Sequence, residues 1–147
     1  MTASKQNRPP PKSAGYSGTP LPQKLGLKSG MRVLALDAPA NLDELLSGAP
    51  ADLVRMNRIA SFDCALAFAT TESALKSMFA KLAPKMTDAG MIWIGWPKKS
   101  SGLATELTED VVRRIGLAAG LVDVKVCAID ATWSGLKFVR RLRDRGR

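Results

Sequence analysis

The stretch that decides the fold runs from Phe62 to Trp96. It opens with FDCALAFA (Phe62–Ala69), continues with ESALKSMFAKLAPK (Glu72–Lys85) and closes with MIWIGW (Met91–Trp96). Asp63–Ala69 is apolar at almost every position, the pattern of a strand covered on both faces. Within Glu72–Lys85, Leu75, Met78, Phe79 and Leu82 recur at i, i+3, i+4 and i+7, while Lys76, Lys81 and Lys85 lie on other faces. That spacing predicts an amphipathic helix, with Thr71 as its N-cap. Asp88-Ala89-Gly90 turns the chain into the next strand, Met91–Trp96. A strand, a helix and a strand in succession form a right-handed crossover between parallel neighbours.

The same alternation extends in both directions. Upstream, Met31–Asp37 (MRVLALD), entered through Gly30, reads as the first central strand. Ala38-Pro39-Ala40-Asn41 leads into a short helix near Leu42–Leu46 that ends at Gly48, and Asp52–Met56 reads as a second strand. Before them, a short helix near Leu21–Leu25 is expected to have Thr19 as its cap, Pro20 in its first turn and Gly26 as its stop. Downstream, the loop Pro97–Glu106 precedes a helix at about Glu109–Ala119. Val111, Val112, Ile115 and Ala119 form its apolar stripe, with Thr108 as cap and Gly120 as stop. Val122–Ile129 and Leu136–Leu142, joined through Thr132-Trp133-Ser134-Gly135, close the chain as an antiparallel pair. The pattern predicts an α/β three-layer sandwich whose mostly parallel sheet carries a C-terminal antiparallel hairpin.

Composition bounds the function. A chain of 147 residues, 46% apolar and 24% charged, fits one globular domain. The longest apolar run, Ile115–Val122, is too short to cross a bilayer. No apolar segment follows the basic start, so a cytoplasmic location is expected, without a membrane partner. Histidine is absent, which excludes histidine-activated nucleophiles and removes the commonest zinc and iron ligand. No metal is expected. Cys64 and Cys127 each sit in an apolar, strand-like run and read as small buried hydrophobes. The net charge of +9 is concentrated at the ends. Lys5, Arg8 and Lys12 stand without an acid in residues 1–14, and Lys137, Arg140, Arg141, Arg143, Arg145 and Arg147 face only Asp144. The expected organisation is a disordered basic tail at 1–14, one domain at 15–143 and a basic tail at 144–147.

The glycine entering Met31–Leu34, the strands Phe62–Ala69 and Met91–Trp96, and the closing Glu109–Leu142 resemble a class I methyltransferase, shortened by one helix-strand unit after the second strand. More closely, Gly15–Leu27 (GYSGTPLPQKLGL), Trp96–Gly102 (WPKKSSG) and Leu107–Arg140 resemble a bacterial family designated domain of unknown function 3052. This resemblance implies a Rossmann-like, methyltransferase-like fold and no defined chemistry.

Methyl transfer on this fold needs a glycine-rich turn after the first strand, where backbone approaches the cofactor. Here Asp37-Ala38-Pro39-Ala40-Asn41 holds no glycine. It also needs a carboxylate at the end of the second strand for the ribose, where Arg55-Met56-Asn57-Arg58 has none. The expectation is therefore a non-catalytic Rossmann-like domain with no cofactor, binding a small anion or a protein partner. A diverged S-adenosylmethionine-dependent methyltransferase is the alternative, and a nucleic-acid-associated protein acting through its basic tails is the second. Binding residues are sought at the carboxyl ends of the strands, where open α/β sheets hold ligands. Trp96 with Lys98, Lys99, Ser100 and Ser101 is a candidate stacking and anion-binding loop. Asp37, Thr70, Tyr16 and Ser17 complete the candidate set. Trp133 is read as covering the edge of the hairpin or meeting a partner.

Overall fold

The computed structural model describes residues 19–145. Six strands form one sheet: β1 (Arg32–Leu36), β2 (Val54–Met56), β3 (Phe62–Phe68), β4 (Met86–Pro97), β5 (Leu121–Ala128) and β6 (Trp133–Arg140). Their spatial order is β2-β1-β3-β4-β6-β5. β1 pairs in parallel with β2 and β3, and β3 with β4. β6 alone runs the other way, antiparallel to both β4 and β5. α1 (Leu21–Leu25) and α2 (Leu42–Leu45) are short, whereas α3 (Glu72–Leu82) and α4 (Glu109–Ala118) form the thicker helical layer.

Strand alternation divides the core in two. Ala65, Ala67 and Ala69 of the β3 region, with Ile92, Ile94 and Trp96 of β4, face α3 and α4. Cys64, Leu66 and Phe68, with Met91 and Trp93, face the side that Leu25, Leu27, Leu42 and Leu46 cover. Phe62 breaks the alternation by joining the α3 side. A register shift between Phe62 and Cys64 explains this, because Phe62 pairs with Met86 and Cys64 with Met91. Gly90 lies in that bulge, where an added Cβ would stand 3.0 Å from the Asp63 carbonyl oxygen.

The two faces are fastened differently. On the α3 side, Phe79 and Phe138 meet edge to face at 5.1 Å, and Gly116 of α4 lies so close to the Phe138 ring that no Cβ fits between them. On the other side, the buried Trp93 Nε1 donates to the Leu25 carbonyl at 2.9 Å. This bond docks α1, which is too short to hold itself in place. Gly26 ends α1 in the left-handed conformation with φ of 82°.

Several boundaries differ from the sequence reading for local reasons. Pro84 interrupts the α-helical hydrogen bonds, so α3 stops at Leu82 and residues 83–85 form a 3-10 turn. β4 then starts at Met86 rather than Met91, the extra length being absorbed by the bulge. Pro20, not Thr19, is the residue before α1, and no side chain caps it. The closing turn comes earlier than expected. Asp130 Oδ1 accepts from the N–H groups of Thr132 and Trp133 at 2.8 Å each, an Asx turn that lets β6 begin at Trp133. Trp133 packs edge to face on Phe68 at 5.2 Å, and β5, not β6, forms the sheet edge.

Asp63 ties β1 to β3 and to the bulge. Its carboxylate accepts from Arg32 N at 2.9 Å and from Thr87 Oγ1 at 3.2 Å, with Arg32 Nε at 3.4 Å. Burial pushes its carboxyl up, but the Arg32 N–H and guanidinium and the Thr87 hydroxyl together hold it below the ordinary carboxylate value of 3.8. A depressed folded-state value means that the unfolded chain binds the proton more readily, so this contribution is complete above the unfolded value and is lost as pH falls through the folded one. Urea unfolding of Asp63→Asn should accordingly give a stability whose decline below about pH 4 is shallower than in the parent.

Candidate functional site

The parallel strands β1, β3 and β4 end on one side of the sheet, and the residues that follow them define the candidate site. Asp37 follows β1 and has a φ of 53°, the one positive φ outside glycine among the described residues. Asp is among the few side chains that tolerate this region, which is elsewhere given to glycine. Its carboxylate is exposed and makes no hydrogen bond or ion pair among the described residues. The turn thus has a left-handed first residue without having a glycine.

After β3, the chain is tied to the loop that follows β4. The Thr70 carbonyl accepts from Glu106 N at 2.9 Å and from Thr105 Oγ1 at 3.1 Å. Glu106 Oε1 accepts in turn from Glu72 N at 2.9 Å, and Thr71 Oγ1 accepts from Ala74 N at 3.1 Å. Two orphan N–H groups at the start of α3 are thereby satisfied, one of them by a carboxylate on a distant loop. Leu107, buried beneath this crossing, anchors the loop in the core. Thr70 is half-buried beside it. Its main chain therefore serves the loop.

The candidate anion loop is arranged differently from its sequence reading. Trp96 is 5% exposed and packs in the α3-side core, so its ring offers no stacking face. Ser101 Oγ donates to the Lys98 carbonyl at 2.7 Å and accepts from Leu103 N, which consumes the hydroxyl within the turn. Lys99 and Ser100 point into solvent. Lys98 is set apart from both, because its Nζ is buried with no hydrogen-bond partner. Tyr16 and Ser17 lie outside the described residues. The structure thus gathers Asp37 and Thr70 at the strand ends and disperses the WPKKSSG set. Glu106 carried no sequence signal, because its role depends on a contact 34 positions away.

Both cysteines are free. Burial pushes the Cys64 thiol up to about 12, which leaves it inert as a nucleophile. Among the described residues no group of three or more histidine, cysteine or carboxylate side chains is placed to hold a metal ion. No described helix is long and apolar enough to cross a membrane. A groove of about 560 Å³, lined by Phe79, Ala83, Ile115 and Ala119, opens between the C-terminal halves of α3 and α4, toward the other end of the sheet.

No family model matches the chain, and no curated protein does. Solved structures do. A methyltransferase of calicheamicin biosynthesis, CalO1, solved with S-adenosylhomocysteine bound, superposes with a TM-score of 0.58 at 11% identity. The match covers 83% of this chain and 52% of CalO1. The fold is that of a class I methyltransferase. A methyltransferase dependent on S-adenosylmethionine from Aquifex aeolicus gives 0.56 at 14% identity, over 79% of this chain and 85% of that one. The magnesium protoporphyrin IX methyltransferase of Synechocystis, solved with S-adenosylmethionine, gives 0.54 at 14% identity, over 82% and 74%. The chain spans about half the length of CalO1. These neighbours correct two expectations. The reading as a non-catalytic domain and the reading of no cofactor both give way, since the structures that share this sheet are methyltransferases and two of these three hold the cofactor or its demethylated product.

The conformation of Asp37 can be tested on the free protein. Asp37→Gly should retain the turn and leave the urea midpoint unchanged or raise the stability by about 1 kcal/mol, while Asp37→Val should lower it by about 1–2 kcal/mol.

Proposed function

We propose that the chain is a diverged S-adenosylmethionine-dependent methyltransferase domain, with its cofactor at the carboxyl ends of β1 and β3. The observation that carries this reading is Asp37. In a sheet ordered β2-β1-β3-β4-β6-β5, it opens the turn after β1 with the backbone conformation that a glycine would otherwise supply. The left-handed conformation that a glycine would supply at this turn is therefore present without one.

The residues fit the group through a rearranged donor set. Asn57, just past β2, has no charge for a ribose, but the Asp37 carboxylate is exposed and unengaged at the end of β1, the strand directly beside the one that leads to Thr70. It is the acid that would accept from the cofactor's hydroxyl or ammonium groups, and the backbone of residues 38–41 would line the turn beneath them. Thr70 and the pinned residues 105–107 would form the opposite wall. When bound, the cofactor supplies a sulfonium-activated methyl group. The chain's own contribution is to hold that group at a rigid strand end, with the loop after β4 fixed by the Glu106 cap on α3.

Calorimetric titration with S-adenosylmethionine tests this directly. The parent should bind with a Kd of about 1–100 μM, and Asp37→Gly, which keeps the turn and removes the carboxylate, should bind about tenfold more weakly. Absence of heat at about 1 mM cofactor, with folded protein, overturns the reading.

A further inference from the structure

The groove between α3 and α4 takes no part in the cofactor turn, and its walls follow from helical spacing. On α3 the wall is Lys76, Phe79, Ala80 and Ala83, positions i, i+3, i+4 and i+7 of one stripe. On α4 it is Arg114, Ile115, Ala118 and Ala119. α3 joins β3 to β4 and α4 joins β4 to β5, and these three strands run in one direction. The two helices therefore run parallel to each other, back across the sheet. Each stripe starts with a cation at the same end of the groove and continues in small apolar side chains. Phe79 and Ile115 form the floor, 1% and 4% exposed, while Ala80, Ala118 and Ala119 are exposed along the rim. The alanines keep the seam open, and its volume of about 560 Å³ lies in the range of small-molecule sites.

Charge sets the occupant. No Asp or Glu lines the groove. Lys76 is exposed, and Arg114 gives only Nη2 to Glu72, at 3.3 Å on the surface. At the opposite end the Ala83 carbonyl accepts from Arg140 Nη2 at 2.8 Å. Arg140 also serves the Met86 carbonyl and lies 3.9 Å from the Asp88 carboxylate, so its guanidinium is already engaged. The groove is thus cationic at one end and apolar at the other. A second copy is a poor fit, because a twofold interface uses one patch twice and would bring both sets of cations to the same seam.

We propose that this groove binds a small amphipathic carboxylate, its head at Lys76 and Arg114 and its apolar chain along Ala80, Ala83, Ala118 and Ala119. The free edge of the Arg114 fork suits a planar carboxylate, and the Lys76 ammonium adds a point charge beside it. The seven residues from Lys76 to Ala83 rise about 10 Å, which sets the length of chain that the floor can cover.

The test is calorimetry of the full chain with sodium octanoate at constant ionic strength, with 1-octanol as the uncharged probe of the same length. Octanoate should bind with a Kd of about 10 μM to 1 mM, and octanol at least about tenfold more weakly. Ala118→Phe, a change at an exposed position that fills the apolar end, should weaken octanoate about tenfold. Lys76→Gln should weaken octanoate about fivefold and leave octanol unaltered. This second variant touches no core residue, so it reads the head-group contact even where Ala118→Phe disturbs α4. Lys81→Gln, on α3 but outside the groove, should stay within about twofold of the parent. No octanoate binding at about 10 mM, octanol binding as tightly as octanoate, or equal binding by the parent and both groove variants overturns the proposal. So does a dimer in sedimentation velocity that Ala118→Phe dissociates, because a second copy then fills the groove.

Discussion

Ala65, Ala67 and Ala69 present only methyl groups to α3, and the rest of the structure is arranged around that narrow face. With no bulk on the β3 side, Leu75, Met78, Phe79 and Leu82 of α3 reach the sheet directly and are all buried. The opposite face of β3 carries the large side chains Leu66 and Phe68, which need a thick cover even though only short α1 and α2 are available. Trp93 makes up the difference by filling that layer and bonding α1 through Leu25. Because β3 is packed from both sides, its carboxyl end is held fixed, and with it the Thr70 crossing and the adjacent turn at Asp37. Full burial of each large core side chain stabilises by about 1.5–3 kcal/mol, so this central layer outweighs any single surface ion pair.

The elements most legible in the sequence were those with a strong period. The stripe of Leu75, Met78, Phe79 and Leu82 and the apolar runs of β3 and β4 led to the crossover, and the structure has it. Thr71 and Thr108 were readable as caps because capping is a local property, and both accept from the N–H three residues on. The closing hairpin was recognisable, but its turn was displaced, since Asp130 formed an Asx turn ahead of the Thr-Trp-Ser-Gly segment. The bulge at Gly90 was hidden, because it shows only when β3 and β4 are set side by side.

The site was less legible, for a physical reason. Motif reading asks which residue types stand at a position, whereas this site depends on conformation and burial. Asp37 read as a candidate binding acid in a turn without glycine, and its left-handed φ shows only in the structure. Trp96 and Lys98 are two residues apart and read as a stacking face and an anion-binding cation of one loop, yet Trp96 is core and the Lys98 ammonium is buried without a hydrogen-bond partner. Loss of the glycine pattern and of the acid after β2 was read as loss of the cofactor; the shared sheet of the methyltransferase neighbours points the other way.

Whether Asp37 and the strand ends beside it receive S-adenosylmethionine is tested most directly by backbone amide chemical-shift mapping of the isotopically labelled chain. Added cofactor should shift the amides of residues 37–41, 57 and 70–72 while those of the α3–α4 groove and of residues 124–128 stay in place. Shifts confined to the groove or to β5, with residues 37–41 unmoved, would contradict it.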